Sequence, residues 1–177
     1  MITFFGRLLG ALALNAAAYE DIERDRGSGM QSVIVVVAVC AAGGVGAMGL
    51  GLVGVSGFIT GALVMLGAWL VWVAAIATIG TTSLAEPQTR SGANELLRVL
   101  GFAAAPGVFV ALAAVRPTAI VVLSIVVVWM IAAAVLAVRQ ALDYRSTGRA
   151  AAVCIIAAAL SLAIMVGVAM LFSQRVV

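Results

Sequence analysis

Five long apolar runs, separated by short polar connections, dominate the sequence. They cover residues 33–53, 58–80, 97–115, 118–138 and 150–172. A helix needs roughly 20 residues to cross the hydrocarbon core of a bilayer, so each run is a candidate membrane span. Only 10% of the residues are charged, against about 25% in a soluble domain. The pattern predicts an all-α integral membrane protein with five transmembrane helices.

The positive charges lie unevenly between these runs. All ten basic residues are arginine, and eight of them fall before the first run or in and around the second and fourth gaps: Arg7, Arg24, Arg26, Arg90, Arg98, Arg139, Arg145 and Arg149. Only Arg116 and Arg175 lie on the opposite side. Because basic loops stay in the cytoplasm, this asymmetry predicts a cytoplasmic N-terminus and an outside C-terminus. We expect a multi-pass protein of a bacterial cytoplasmic membrane.

The first 29 residues form a separate N-terminal region before the transmembrane domain of residues 30–177. Ile2, Phe5, Leu9, Leu12 and Ala16 recur at helical spacing, which predicts a short interfacial helix. A charged juxtamembrane segment follows, which is either a solvated turn or a docking segment for a partner. A cleaved signal peptide is a third interpretation, but it would place Arg24 and Arg26 outside, against the charge pattern.

Small residues mark the first two spans. Gly43, Ala47 and Gly51 repeat every four residues, and Gly57 and Gly61 do the same at the start of the second span. In lipid, helices associate through close backbone approach, which such smooth faces allow. We therefore predict that these five positions are helix-packing residues.

The third span contains a proline flanked by glycines. Pro106 cannot donate a hydrogen bond to the carbonyl of residue 102, so a kink or break is expected. Gly101 and Gly107 allow the bend to be large. This segment is a candidate hinge, and broken helices at membrane depth can mark transport sites.

Two opposite-charge pairs lie at the predicted cytoplasmic ends of the third and fourth spans. Glu95 and Arg98 are three residues apart, and Arg139 and Asp143 are four apart. If both helices extend this far, each pair shares a helix face and lowers the cost of charge near lipid. These four residues are the candidate polar cluster, as an interfacial clamp or as a site for a head group or a partner.

Catalytic and metal-binding signatures are missing. The chain has no histidine, and Cys40 and Cys154 lie within apolar runs without metal-ligand spacing. The arginines are spread over loops rather than gathered in one patch, which disfavours nucleic acid. We expect a protein that is not an enzyme and needs no cofactor.

Four strings, AYEDIERD, RGSGMQSVIVVV, ELLRVLGFAAAPG and WMIAAAVLAVRQALDYRSTGRA, carry a family resemblance in their order and spacing. Together they resemble the bacterial branch of the Ypt-interacting protein (YIP) family over roughly residues 8–172. The resemblance implies five transmembrane helices, a cytoplasmic N-terminus and no catalytic residue. The positions of interest that it implies are Glu95, Leu97, Arg98, Gly101, Pro106, Arg139, Gln140, Asp143, Thr147, Gly148 and Arg149. The long polar N-terminal region of eukaryotic members is missing, which disfavours docking of a small GTPase.

Two functions are compatible with these features. The first is a membrane-organising scaffold or adaptor that acts through helix packing, the lipid bilayer, and a second copy or another membrane protein. The alternative is a small transporter, channel or lipid-handling protein that uses the break at Pro106 and the charged cluster. The spans contain few polar residues, which favours the first.

Overall fold

The computed structural model describes residues 3–87, 89 and 92–173, and these residues fold into α-helices and shorter 3₁₀ segments. Ile2, Arg90 and Arg175, which were named above from the sequence, lie outside the described residues. The α-helices are α1 (Phe4–Leu12), α2 (Ala16–Arg24), α3 (Ser28–Gly46), α4 (Gly54–Thr81), α5 (Ala93–Ala103), α6 (Ala119–Ala141) and α7 (Thr147–Ser173).

Five segments are long and apolar enough to cross a membrane. Four of them are Ser28–Leu50, Gly54–Thr81, Arg116–Ala141 and Thr147–Val168. The fifth is a bent pair, in which Asn94–Ala103 and Ala105–Ala114 meet at 40°. The all-α, five-span fold predicted from the sequence is therefore confirmed.

The five spans form a closed ring. Starting from α3, the neighbours are α4, α7, α6 and the bent third span, which packs back against α3. We call the end of the ring at which α3 begins the N-terminal face. The connection from α4 to α5 and the connection from α6 to α7 lie at this face, because consecutive spans run antiparallel.

The N-terminal region is a helical hairpin rather than one helix. Thr3 caps α1 by accepting a hydrogen bond from the Gly6 N–H, and Asn15 caps α2 by accepting one from the Ala17 N–H. Leu14, between the helices, has a φ of +56°, a left-handed conformation that turns the chain back on itself. Helix α2 packs against α5 and α6, and α1 packs against α5 and the segment Ala105–Ala114 that follows it.

The third span changes its helix type at the proline. After α5 the chain continues as a 3₁₀ helix from Ala105 to Ala114, ten residues where runs of three or four are usual. Pro106 lies in its first turn, where the missing N–H needs no partner. This segment packs between α3 and α6.

Candidate functional site at the N-terminal face

Arg7, in the middle of α1, is the most deeply buried charge of the described residues. Its side chain is 1% exposed. The Nε atom donates to Asp21 Oδ2 at 2.7 Å, Nη2 donates to Asp25 Oδ2 at 2.7 Å, and Nη1 donates to Gln31 Oε1 at 2.9 Å. One guanidinium thus joins α1, the C-terminal end of α2 and the first turn of α3. We call these four residues the Arg7 clamp.

The burial of Arg7 is accompanied by the exposure of large apolar side chains on the same helix. Phe5 is 70% exposed and Leu9 is 64% exposed, while Arg7 and Ala11 face the bundle. Phe4, Leu8 and Leu12 of the same helix pack against the hydrophobic core, so α1 has apolar side chains on both faces. Its one charge is buried and paired, as is expected for a charge near hydrocarbon.

Two further hydrogen bonds connect the hairpin to the spans. Arg98, on α5, donates from Nη2 to the backbone carbonyl of Glu23 at 2.9 Å. Trp129, on α6, donates from Nε1 to the carbonyl of Leu12 at 3.0 Å. Because Glu23 and Leu12 are near the final turns of α2 and α1, both helix C-termini gain a donor for an otherwise unpaired carbonyl.

The two charged pairs predicted from spacing are not formed as helical pairs. The Glu95 carboxylate accepts from the Gly92 N–H at 3.1 Å and caps its own helix, while Arg98 turns to Glu23. Helix α6 ends at Ala141, and Asp143 follows with a φ of +53°, so Arg139 and Asp143 do not share a helix face. The pairing of Arg139 with Asp143 required α6 to continue through Asp143, and this condition is not met, because the Tyr144 N–H bonds the Arg139 carbonyl and closes the helix.

The structure nevertheless brings three acidic residues together, and one of them is new to the cluster. Glu23 on α2 is close enough to Glu95, in the first turn of α5, and to Asp143, after α6, for their charges to act on it. Burial, together with the negative charges of Asp143 and Glu95, raises the pKa of Glu23 above its usual 4.5. By contrast, hydrogen bonds from Arg7 and from the Gly27 N–H hold the pKa of Asp25 below 3.8.

A second group of polar contacts connects the helix ends on the other side of the same face. The Tyr144 hydroxyl donates to the Gly80 carbonyl at 2.6 Å, joining the end of α6 to the end of α4. Arg149 Nε lies 3.4 Å from Glu86 Oε1, and Glu86 Oε2 accepts from the Arg145 N–H at 3.1 Å. These contacts fasten the α4–α5 connection to the start of α7.

The predicted packing glycines lie mostly at contacts within the chain. A Cβ at Gly43 would meet Met65 Cβ at 2.8 Å, and one at Gly61 would meet Ala47 Cβ at 2.6 Å, so α3 and α4 touch through these positions. Gly57 packs against the backbone of Leu52. Gly51 lies off this face, because its φ of +94° ends the preceding 3₁₀ turn.

The candidate hinge residues are also in close contact. A Cβ at Gly101 would lie 2.7 Å from Ser32 Cβ, and one at Gly107 would lie 2.6 Å from Val39 Cγ1. Pro106 is buried beside them. These three positions bring the bent span against α3.

Sequence reasoning missed the role of Arg7, which we took only as a topology signal. Two signals point to it in retrospect. Arg7 is the only charge in an otherwise apolar helix, and Asp21 and Asp25 lie one helical turn apart on the next helix. Within the described residues, no group of three histidine, cysteine or acidic side chains could hold a metal ion.

The five apolar spans and the internally paired polar face define a polytopic α-helical membrane protein. Residues 9–168 match the family described as the Yip1 domain. The chain therefore belongs to the Yip1 domain family, as the resemblance to YIP proteins predicted. No curated protein and no solved structure matches the chain.

Proposed function

We propose that this Yip1-domain protein is a non-enzymatic membrane-organising scaffold. The observation that carries the proposal is the use of the polar side chains at the N-terminal face. Arg7, Arg98, Trp129, Tyr144 and Arg149 all donate to other segments of the same chain. Donors that are used to connect helices hold a fixed shape and are not arranged around a substrate.

The proposed partners are the bilayer and another membrane protein or a second copy of the chain. Four further arginines at the N-terminal face are exposed and can contact a partner or lipid head groups: Arg24, Arg26, Arg139 and Arg145. The arginine asymmetry of the sequence supports a cytoplasmic position for this face.

Photo-crosslinking in native membranes tests the scaffold proposal. A photoreactive amino acid would replace Arg139 or Arg26 at the exposed face, and Leu63 on the lipid-facing side of α4 as the matched control. We expect a discrete crosslinked protein at Arg139 or Arg26 and only lipid adducts at Leu63. Identical lipid-only labelling at all three positions would contradict a protein-organising role.

The alternative function, a small transporter or lipid-handling protein, has one supporting observation. The ten-residue 3₁₀ segment after Pro106 is unusually long, and such segments often mark moving parts. Flux and lipid-flip assays in liposomes test it: activity above that of empty vesicles, lost in Pro106→Ala, would favour the alternative. We prefer the scaffold because the glycines beside Pro106 are closely packed.

A further inference from the structure

The position of the hairpin along the spans can be measured on two independent elements. Trp129, which bonds the end of α1, lies twelve residues before the end of α6 at Ala141. At 1.5 Å per residue this is about 18 Å along the helix. The whole span, Arg116–Ala141, has 26 residues and measures about 39 Å, against about 30 Å of hydrocarbon.

This comparison places Leu12 inside the hydrocarbon. If the entire excess of about 9 Å projects at the N-terminal face, Leu12 is still about 9 Å below the hydrocarbon surface. If α6 is centred, Leu12 lies near the bilayer midplane.

The other end of α1 is also deep. The Phe4 ring lies 6.2 Å from the ring of Phe102, which is about 12 Å into the third span from Asn94. Helix α1 further contacts the 3₁₀ segment Ala105–Ala114. Its exposed side chains, Phe5 and Leu9, therefore extend the lipid-facing surface that Val108 and Phe109 already form.

The hairpin makes the protein asymmetric across the bilayer. In the half at the N-terminal face, the cross-section contains α1 and α2 in addition to the five spans. In the other half, the described residues contribute only the five spans. Because a helix is about 10 Å in diameter, the two additional helices substantially increase the cross-sectional area of the protein in that half of the bilayer.

We propose that the α1–α2 hairpin is a wedge in the leaflet at the N-terminal face, and that the protein binds preferentially where this leaflet is convex. The partner is thus a lipid surface of defined curvature, in contact with Phe5 and Leu9. A convex leaflet has more area near its surface, which matches the half of the protein that contains seven helices. The inference rests on the proposed organising function and specifies which property of the bilayer the protein responds to.

The Arg7 clamp makes this insertion physically acceptable. An unpaired arginine in hydrocarbon is costly, by about 3 kcal/mol on insertion scales and more in simulations. In this structure every nitrogen of the guanidinium has an acceptor, and the side chain does not reach lipid. Helix α1 can therefore present only apolar atoms outward.

The experiment uses the full-length protein, with a fluorophore at its N-terminus, in phosphatidylcholine vesicles of mixed diameter. Neutral lipid removes attraction of the arginines to the surface. A membrane-impermeant quencher identifies which molecules have the N-terminal face outward, and single-vesicle imaging gives protein per unit of membrane area. We expect outward-facing molecules to become denser as vesicle diameter falls, and inward-facing molecules to become sparser.

Equal density at all diameters, or the same trend for both orientations, would overturn the wedge. A spin label at Leu9 provides the second measurement, since oxygen should reach it more readily than a polar nickel chelate does. Accessibility to the chelate instead would also overturn it. Neither result bears on the crosslinking test of the scaffold proposal. Failure of the wedge proposal can therefore be distinguished from failure of the scaffold proposal.

Variants link the curvature response to the hairpin. Combined Phe5→Gln and Leu9→Gln changes only exposed side chains, and should flatten the dependence on diameter. Arg24→Ala is the matched control, because Arg24 pairs with Glu20 on the exposed side of α2 and should leave the dependence intact. If the double Gln variant depends on vesicle diameter as the wild type does, the proposal is contradicted. If that variant fails to fold, the comparison of outward-facing and inward-facing wild-type molecules still tests the wedge.

Discussion

Replacing Arg7 with alanine should release the hairpin from the bundle while the five spans remain folded. The change removes three hydrogen bonds, two of them to carboxylates. Breaking a fully buried ion pair costs about 3–5 kcal/mol, but Asp21 and Asp25 are 27% and 22% exposed and can regain water. We therefore expect a loss of about 2–3 kcal/mol in the free energy that docks the hairpin.

Hydrogen exchange of the full-length protein in detergent micelles measures this free energy locally. A loss of about 2–3 kcal/mol corresponds to roughly 30- to 150-fold faster exchange in α1 and α2. Exchange in α4 and α7 should stay at the wild-type rate. Arg24→Ala is the control, because its pair with Glu20 is 74% and 44% exposed and should contribute less than about 0.5 kcal/mol.

An Arg7→Ala variant with wild-type exchange in α1 and α2 would refute the reasoning, since the clamp would then contribute nothing to docking. Uniformly faster exchange in all helices would also refute it, because the hairpin would be part of the global unfolding unit. Arg7→Lys refines the result: lysine keeps the charge but loses the planar fork, so it should recover only part of the protection.

Four other predictions concern stability. Lowering the pH from 7 toward 4.5 should raise the protection factors of the α2 amides, which compare the observed exchange rate with the intrinsic rate at the same pH. The reason is that the raised pKa of Glu23 makes docking favour the protonated carboxyl, and this stabilisation is lost as the pH rises through that pKa. Glu23→Gln should remove this change in the protection factors. Tyr144→Phe should lower the free energy of unfolding by about 1–2 kcal/mol, because the buried Gly80 carbonyl loses the hydroxyl that donates to it at 2.6 Å. An unchanged melting temperature would contradict this. Gly46→Ala should lower the free energy of unfolding by about 1–3 kcal/mol, because the new Cβ would lie 2.5 Å from the Val110 carbonyl oxygen. Gly167→Ala is the control: the new Cβ would meet no atom within 4 Å, so the melting temperature should match that of the wild type. Trp129→Phe should speed exchange near Leu12 by about fivefold through loss of one hydrogen bond of about 1 kcal/mol, and a change confined to α7 would count against it.

The spans were predictable from the sequence because their signal is local. A run such as 118–138 is apolar throughout, and the observed span Arg116–Ala141 extends it by only a few residues. The bend at Pro106 was predictable for the same reason, since it follows from a missing N–H. The continuation of that span as a 3₁₀ helix was not, because it depends on how α3 and α6 pack around it.

The candidate site was only partly predictable, because its contacts join residues far apart in the chain. Arg98 bonds a carbonyl 75 residues before it, and no spacing rule indicates Glu23 as that partner. Asp143 was placed on a helix that ends at Ala141, since the left-handed residue that closes α6 has no clear mark in the sequence. Arg7 was misjudged because a lone arginine near an apolar stretch is typical of a topology signal.

The hairpin packs against helices that are synthesised much later. Leu12 meets Trp129, 117 residues further along the chain, and α2 packs against α6. Arg7, Asp21, Asp25 and Gln31 can pair with one another early, but the hydrophobic wall behind them does not yet exist. During synthesis the N-terminal segment therefore has to wait at the membrane surface until α6 has been inserted. Full docking of the first helices therefore follows the insertion of α6, and a protein truncated before α6 would leave the face of α2 that packs against α6 uncovered.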